Sequence, residues 1–125
     1  MRKIGYKKWV IPGGYIPFAT NGREPELLSQ DKISILNLNK EPTTIRMTVY
    51  YQEEEPVSGY PLEIKGMRVK KFRVNDLIDP FPVVLEKEYS LIIEADKPVV
   101  VQFLKMNTGH KNVAMLGTIA YGTDI

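Results

Sequence analysis

Cysteine is absent from this 125-residue chain, which excludes a disulfide framework and thiolate chemistry. Histidine is nearly absent. The single example, His110, sits in the turn-forming run Asn107-Thr108-Gly109-His110-Lys111, with no second ligand at metal spacing. No HExxH, CxxC or EF-hand pattern occurs, and no Walker loop or GxGxxG; Gly13-Gly14 is too short to cradle phosphates. A Ser-His-Asp site needs a positioned base, and His110 alone is on offer. Asp76 and Asp79 form a carboxylate pair, but two acids three residues apart in a turn more often cap backbone donors than hydrolyse glycosides. No apolar run approaches the ~20 residues of a membrane span. The basic start, Met1-Arg2-Lys3-Ile4-Gly5, is not followed by an apolar stretch of the kind a signal peptide has. Together these absences predict a cytoplasmic protein that is not an enzyme, inserts in no membrane, and carries no metal and no cofactor.

Helix signal is also scarce. Glu24 to Gln30 has room for one turn, and a helix drawn over Val113–Tyr121 is weakened by Gly117, Thr118 and Ile119. What the chain does contain is strand pattern. Nine prolines and nine glycines divide it into short segments. In Thr43 to Tyr51, Ile45, Met47, Val49 and Tyr51 fall on one face and Thr44, Arg46, Thr48 and Tyr50 on the other. Tyr89, Leu91, Ile93 and Ala95 repeat that alternation. Further strands are predicted at Trp9–Ile11, Lys32–Leu38, Leu62–Ile64, Met67–Val74, Val99–Met106 and Val113–Tyr121. The apolar register shifts by one inside Lys32–Leu38 and inside Met67–Val74, which predicts a β-bulge in each. Val99-Val100-Val101 is apolar on both faces and predicts a central or covered strand. Glu53 to Gly59 reads as an exposed loop between antiparallel strands, and Asp96-Lys97-Pro98 as a tight turn between two others. The expected fold is all-β, a two-sheet antiparallel sandwich of jelly-roll or Greek-key type with little or no helix, in a single domain over residues 1–125.

A net charge of +2 is too small to indicate a nucleic-acid protein by itself. Lys65, Arg68, Lys70, Lys71 and Arg73 do cluster, opposed by Glu53-Glu54-Glu55. The basic strand runs into Arg73-Val74-Asn75-Asp76-Leu77-Ile78-Asp79-Pro80, where Asn, Asp and Pro stop it. That polar corner has two readings: a site for a polar ligand, or a loop lock.

The ordered set Gly14-Tyr15-Ile16-Pro17, Asn21-Gly22, Glu24-Pro25, Ile35-Leu36-Asn37, Tyr50-Tyr51, Glu55-Pro56-Val57, Arg73, Asn75-Asp76-Leu77, Asp79-Pro80, Pro98, Val100-Val101-Gln102 and Thr118-Ile119-Ala120-Tyr121 resembles the sensory rhodopsin transducer family. The matches run in order from about Trp9 to Tyr121. The resemblance implies a jelly-roll sandwich that assembles as a homotetramer. It also implies either a soluble cytoplasmic partner of a membrane photoreceptor or a module that binds polar metabolites or sugars.

The residues predicted to bind a ligand are Trp9, Tyr15, Asn21, Glu24, Arg68, Asn75, Asp76 and Gln102. Trp9 and Tyr15 offer aromatic faces, though for Trp9 a place in the core is the favoured reading. Asn21 and Glu24 lie in a Gly/Pro-rich loop, where an Asx turn is the competing reading. Arg68 has the fork for a carboxylate or phosphate. Asn75 and Asp76 suit hydroxyl-rich ligands, and Gln102 interrupts a Val-rich strand, so it needs a partner if buried. The function expected is a non-enzymatic sensor of a polar small molecule. The alternative is a soluble signalling protein that binds DNA or a membrane receptor through the basic strand.

Overall fold

A computed structural model describes residues 4–17, 29–109 and 114–124. Eight strands occur among them: β1 (Tyr6–Gly14), β2 (Gln30–Asn37), β3 (Thr43–Tyr51), β4 (Val57–Ile64), β5 (Arg68–Arg73), β6 (Tyr89–Asn107), β7 (Ala114–Ile119) and β8 (Tyr121–Thr123). One 3-10 turn, Val74–Asp76, is the helical element among the described residues. Every pairing is antiparallel. One sheet runs β4-β3-β6-β1-β8, and the other β5-β2-β6-β7. This is the expected two-sheet sandwich, with β6 shared by both layers.

The sharing is possible because β6 folds back on itself. Its first part, Tyr89 to Ala95, pairs with β3 and β1; its last part, Val100 to Asn107, pairs with β2 and β7. A straight strand would place Tyr89 and Lys105 roughly 50 Å apart at ~3.3 Å per residue. Both side chains instead hydrogen-bond to the one carboxylate of Asp31. The corner lies at Asp96-Lys97-Pro98, where the β1 register slips between Lys8↔Glu94 and Tyr6↔Val99. Side chains pin it. Thr43 Oγ1 and the Thr44 amide donate to Asp96 at 2.5 and 2.9 Å. Asn39 Nδ2 donates to the Pro98 carbonyl at 2.8 Å, and Trp9 Nε1 to the Val99 carbonyl at 2.9 Å. The turn expected here is therefore a bend within one strand rather than a loop between two. Pro98 has no amide to offer a ladder, and it falls where the registers leave a gap.

The expected alternation holds. Ile45, Met47 and Val49 of β3 are buried, as are Tyr89, Leu91 and Ile93 of β6. Val99–Val101 belongs to a strand with neighbours on both sides. The bulges expected in β2 and β5 do not form; their ladder is unbroken from Lys32↔Arg73 to Asn37↔Arg68. In β2 the apparent shift arises because a polar residue, Asn37, takes the core position after Ile33 and Ile35. In β5 it arises because this is an edge strand, with Met67 and Val69 in solvent and Phe72 packed on the core. The register slips occur instead in β1 and between Met47 and Thr48 of β3.

Asn37 acts as a polar peg. Its Nδ2 lies 3.1–3.2 Å from the carbonyls of Glu41, Ile64 and Lys65, and its Oδ1 accepts from the Asn39 amide at 3.0 Å. Replacing it with leucine strands buried carbonyls, which costs about 2–3 kcal/mol. Asn37→Leu is expected to lower the urea midpoint accordingly. An unchanged midpoint would mean that those carbonyls find other donors.

Candidate functional site

At one end of the sandwich, Asp31 of β2 stands directly opposite Lys105 of β6 in the ladder. Both share the parity of core residues: Asp31 with Ile33 and Ile35, Lys105 with Val101 and Phe103. Asp31 is 1% exposed. A carboxylate so deep needs partners, and it has three. Tyr89 Oη donates to Oδ2 at 2.5 Å, the Tyr15 amide donates to Oδ2 at 3.1 Å, and Lys105 Nζ reaches Oδ1 at 3.1 Å. Lys105 Nζ also donates to the Tyr15 carbonyl at 2.9 Å and lies 5.6 Å from the centre of the Phe103 ring.

Backbone geometry fixes Tyr89. It forms a rung with Gly14 of β1 on one side and Tyr51 of β3 on the other. A Cβ at Gly14 would lie 2.2 Å from the Tyr89 ring, so only glycine lets this ring cross the neighbouring strand. Burial, and then the charge and hydrogen bond of Asp31, push the Tyr89 hydroxyl well above its ordinary acidity range. Tyr89 is thus a neutral, fixed donor.

Over this network opens a cleft of ≈480 Å³, lined by Pro12, Gly13, Gly14, Tyr15, Tyr50, Tyr51, Gln52, Glu88, Tyr89, Ser90 and Lys105. Its volume lies within the roughly 300–1,000 Å³ of small-molecule sites. A second hollow of ≈280 Å³ shares Tyr15, Gln52 and Glu88 with it and adds Glu53, Glu54, Glu86 and Lys87. Lys87 pairs with Glu54, and their hydrogen bond lowers the glutamate and raises the lysine from their ordinary values.

Among the predicted ligand residues that are described, Tyr15 lines the cleft. Trp9 does not: it is 3% exposed, with its indole N–H donated to the Val99 and Tyr6 carbonyls, and it plugs the β6 corner. Arg68 turns its guanidinium onto the carbonyls of Gly66 and Met67. Asp76 accepts a bidentate pair from Arg73 at 2.7 and 2.9 Å, which makes that guanidinium hold its proton still more tightly. Asn75 is one step from the cleft. Its Oδ1 accepts from the Asp31 amide at 3.3 Å, and its Nδ2 donates to the Ser29 carbonyl at 3.1 Å, so it braces the strand that carries Asp31. Gln102 is exposed rather than buried, because the strand's inward positions are Val101 and Phe103. Asn21 and Glu24 lie outside the described residues, as does His110. Sequence reasoning missed Asp31, Lys105, Tyr89 and Glu88. The signal was present: an acid and a base, each on the core parity of a strand, must find a partner.

These features define an antiparallel β-sandwich whose two layers are tied by a buried charge network beneath an open, tyrosine-rich cleft. The chain belongs to the Anabaena sensory rhodopsin transducer family, whose pattern matches residues 4–122. It is similar to a crystal structure of Thermotoga maritima 1070 (31% identity, TM-score 0.83, covering 96% of this chain and 97% of that one). It is also similar to the Anabaena sensory rhodopsin transducer (38% identity, TM-score 0.74, covering 82% of this chain and 89% of that one). No protein with curated annotation matches. Among the described residues no helix is long and apolar enough to cross a membrane.

The raised acidity range of Tyr89 has a consequence for stability. In the unfolded chain this phenol ionises near its ordinary value of 10.0, whereas in the fold it keeps its proton. Above that pH the unfolded state binds fewer protons, so stability falls with pH, by up to about 1.4 kcal/mol per unit. Below it the contribution is present in full. Urea midpoints measured from about pH 9 to 11 should fall less steeply for Tyr89→Phe than for the parent. Tyr60, whose burial also raises it, acts equally in both proteins. Parallel slopes would contradict the assignment.

Proposed function

We propose that this chain is a single-domain, non-enzymatic binding module that senses a polar small molecule in the Tyr15–Tyr50–Tyr51 cleft, working in the cytoplasm as a homotetramer. The observation that carries the reading is the cleft itself: an open volume of ≈480 Å³ with a floor already locked by Asp31, Tyr89 and Lys105. A preformed, rigid floor lowers the ordering cost of binding. The same locking supports a role without chemistry. Both oxygens of Asp31 are engaged, and Tyr89 holds its proton tightly, so neither is poised as base or nucleophile. The family's association with a photoreceptor transducer supports a signalling use of that binding.

Assembly is supported by the two outer strands. Among the described residues β7 pairs with β6 alone and β8 with β1 alone, and Met115, Leu116, Ile119 and Tyr121 are all exposed on them. Bare apolar edges of this kind are pairing surfaces. A second reading, a signalling protein that docks DNA or a receptor, draws support from β5, which presents Arg68, Lys70 and Lys71 to solvent beside Lys65.

A thermal-shift panel of sugars, polyols, amino acids, amines and duplex DNA separates these readings. A bound ligand raises the melting temperature because it binds only the folded state. The module reading expects a small-molecule response that Tyr50→Ala removes and Asp76→Ala leaves intact, since Tyr50 lines the cleft and Asp76 is held by Arg73. Sedimentation equilibrium should give four times the mass of one chain. A response to DNA alone, lost as salt rises, would favour the second reading.

A further inference from the structure

We infer that the cleft is built for an organic cation, an ammonium carried on a small apolar or polyol frame, rather than for an anion or a neutral sugar. The inference rests on the cleft being a ligand site, and it narrows the ligand class.

Two features of the site carry it. The first is the wall. Tyr15 and Tyr50 keep 38% and 39% of their surface open, and Tyr51 is half-buried beside them. All three line the same hollow. Phenol rings offer a negative π-face to a cation, and several rings around one small volume form the cage that selects alkylammonium groups.

The second feature is charge. The molecule as a whole carries +2, yet the local balance is reversed. Among the described residues Lys105 is the one cation lining the main cleft, and its ammonium is already engaged by the Asp31 carboxylate and the Tyr15 carbonyl. An anion entering the cleft finds no unengaged positive charge among the described residues. Glu88 lines both the cleft and the adjoining hollow, where among the described residues Glu53, Glu54 and Glu86 join it against one lysine, Lys87, itself paired with Glu54. A neutral ligand seated over Glu88 strips water from a carboxylate and returns at most hydrogen bonds, with no opposite charge. A cation compensates that loss.

Calorimetry with choline, tetramethylammonium and spermidine tests the inference, against 3,3-dimethylbutan-1-ol as the neutral carbon isostere of choline, and against acetate and glucose. At least one of the three cations is expected to bind. Choline should bind about tenfold tighter than its neutral isostere, the magnitude of a cage of aromatic rings. Glu88→Gln should weaken the cation several-fold and leave the isostere unchanged, and Tyr50→Leu should weaken the cation more than the isostere. Binding of glucose or acetate in a Tyr50-dependent way, with none of the three cations bound, would overturn the cation class and leave the module reading standing. An isostere that binds as tightly as choline, or cation binding indifferent to Glu88→Gln, would overturn it as well. No heat with any of the six compounds, from protein that unfolds cooperatively, would overturn both readings.

Discussion

One buried carboxylate organises this molecule. Asp31 sits on β2 in one sheet and accepts from Tyr89 at the start of β6, from Lys105 near its end, and from the backbone of Tyr15 just beyond β1. A strand that serves two sheets must bend, and a bend leaves its two ends free to splay. The Asp31 carboxylate closes that gap. The middle of the same strand is held by different means: Asp96, Asn39 and Trp9 fix the corner itself. The sandwich is thus clamped where the two ends of β6 meet, by a charge network, and at the bend between them, by a tryptophan and two polar side chains.

The cleft is a by-product of the clamp. Tyr89 crosses Gly14 to reach Asp31, which leaves the ends of β1, β3 and β6 side by side with Tyr15, Tyr50 and Tyr51 around them. The floor is rigid because its polar atoms are satisfied, and the walls are open because the strands end there. Binding sites commonly pair a fixed scaffold with accessible rims. A ligand seated here would touch residues from three strands at once, so its binding and the stability of the sandwich are linked.

Much of the architecture was legible in the sequence, and the reasons are local. Period-two alternation in Thr43–Tyr51 and Tyr89–Ala95 predicted strands that form with the predicted faces inward. The triple valine predicted a central strand, and β6 is flanked on both sides. The errors also have local causes. An apolar shift in β2 looked like a bulge because a buried asparagine breaks the hydrophobic count without breaking the ladder. Asp96-Lys97-Pro98 looked like the end of a strand because sequence cannot distinguish a corner in one strand from a turn between two. The site was less legible than the fold. Trp9 drew attention as an aromatic face but fills the corner, and Asn75 drew attention as a ligand residue but steadies Asp31 from behind. Which polar residue faces a cleft depends on pairing between β2 and β6, distant in sequence and invisible without register.

The central claim is that Tyr89 and Lys105 act through one shared carboxylate. A double-mutant cycle of Tyr89→Phe and Lys105→Met, read by urea denaturation near neutral pH, tests it most directly. If Asp31 joins them as a unit, the double variant departs from the sum of the singles by about 0.5–3 kcal/mol. Losses that add to within about 0.5 kcal/mol would contradict the account, because the two ends of β6 would then be held independently.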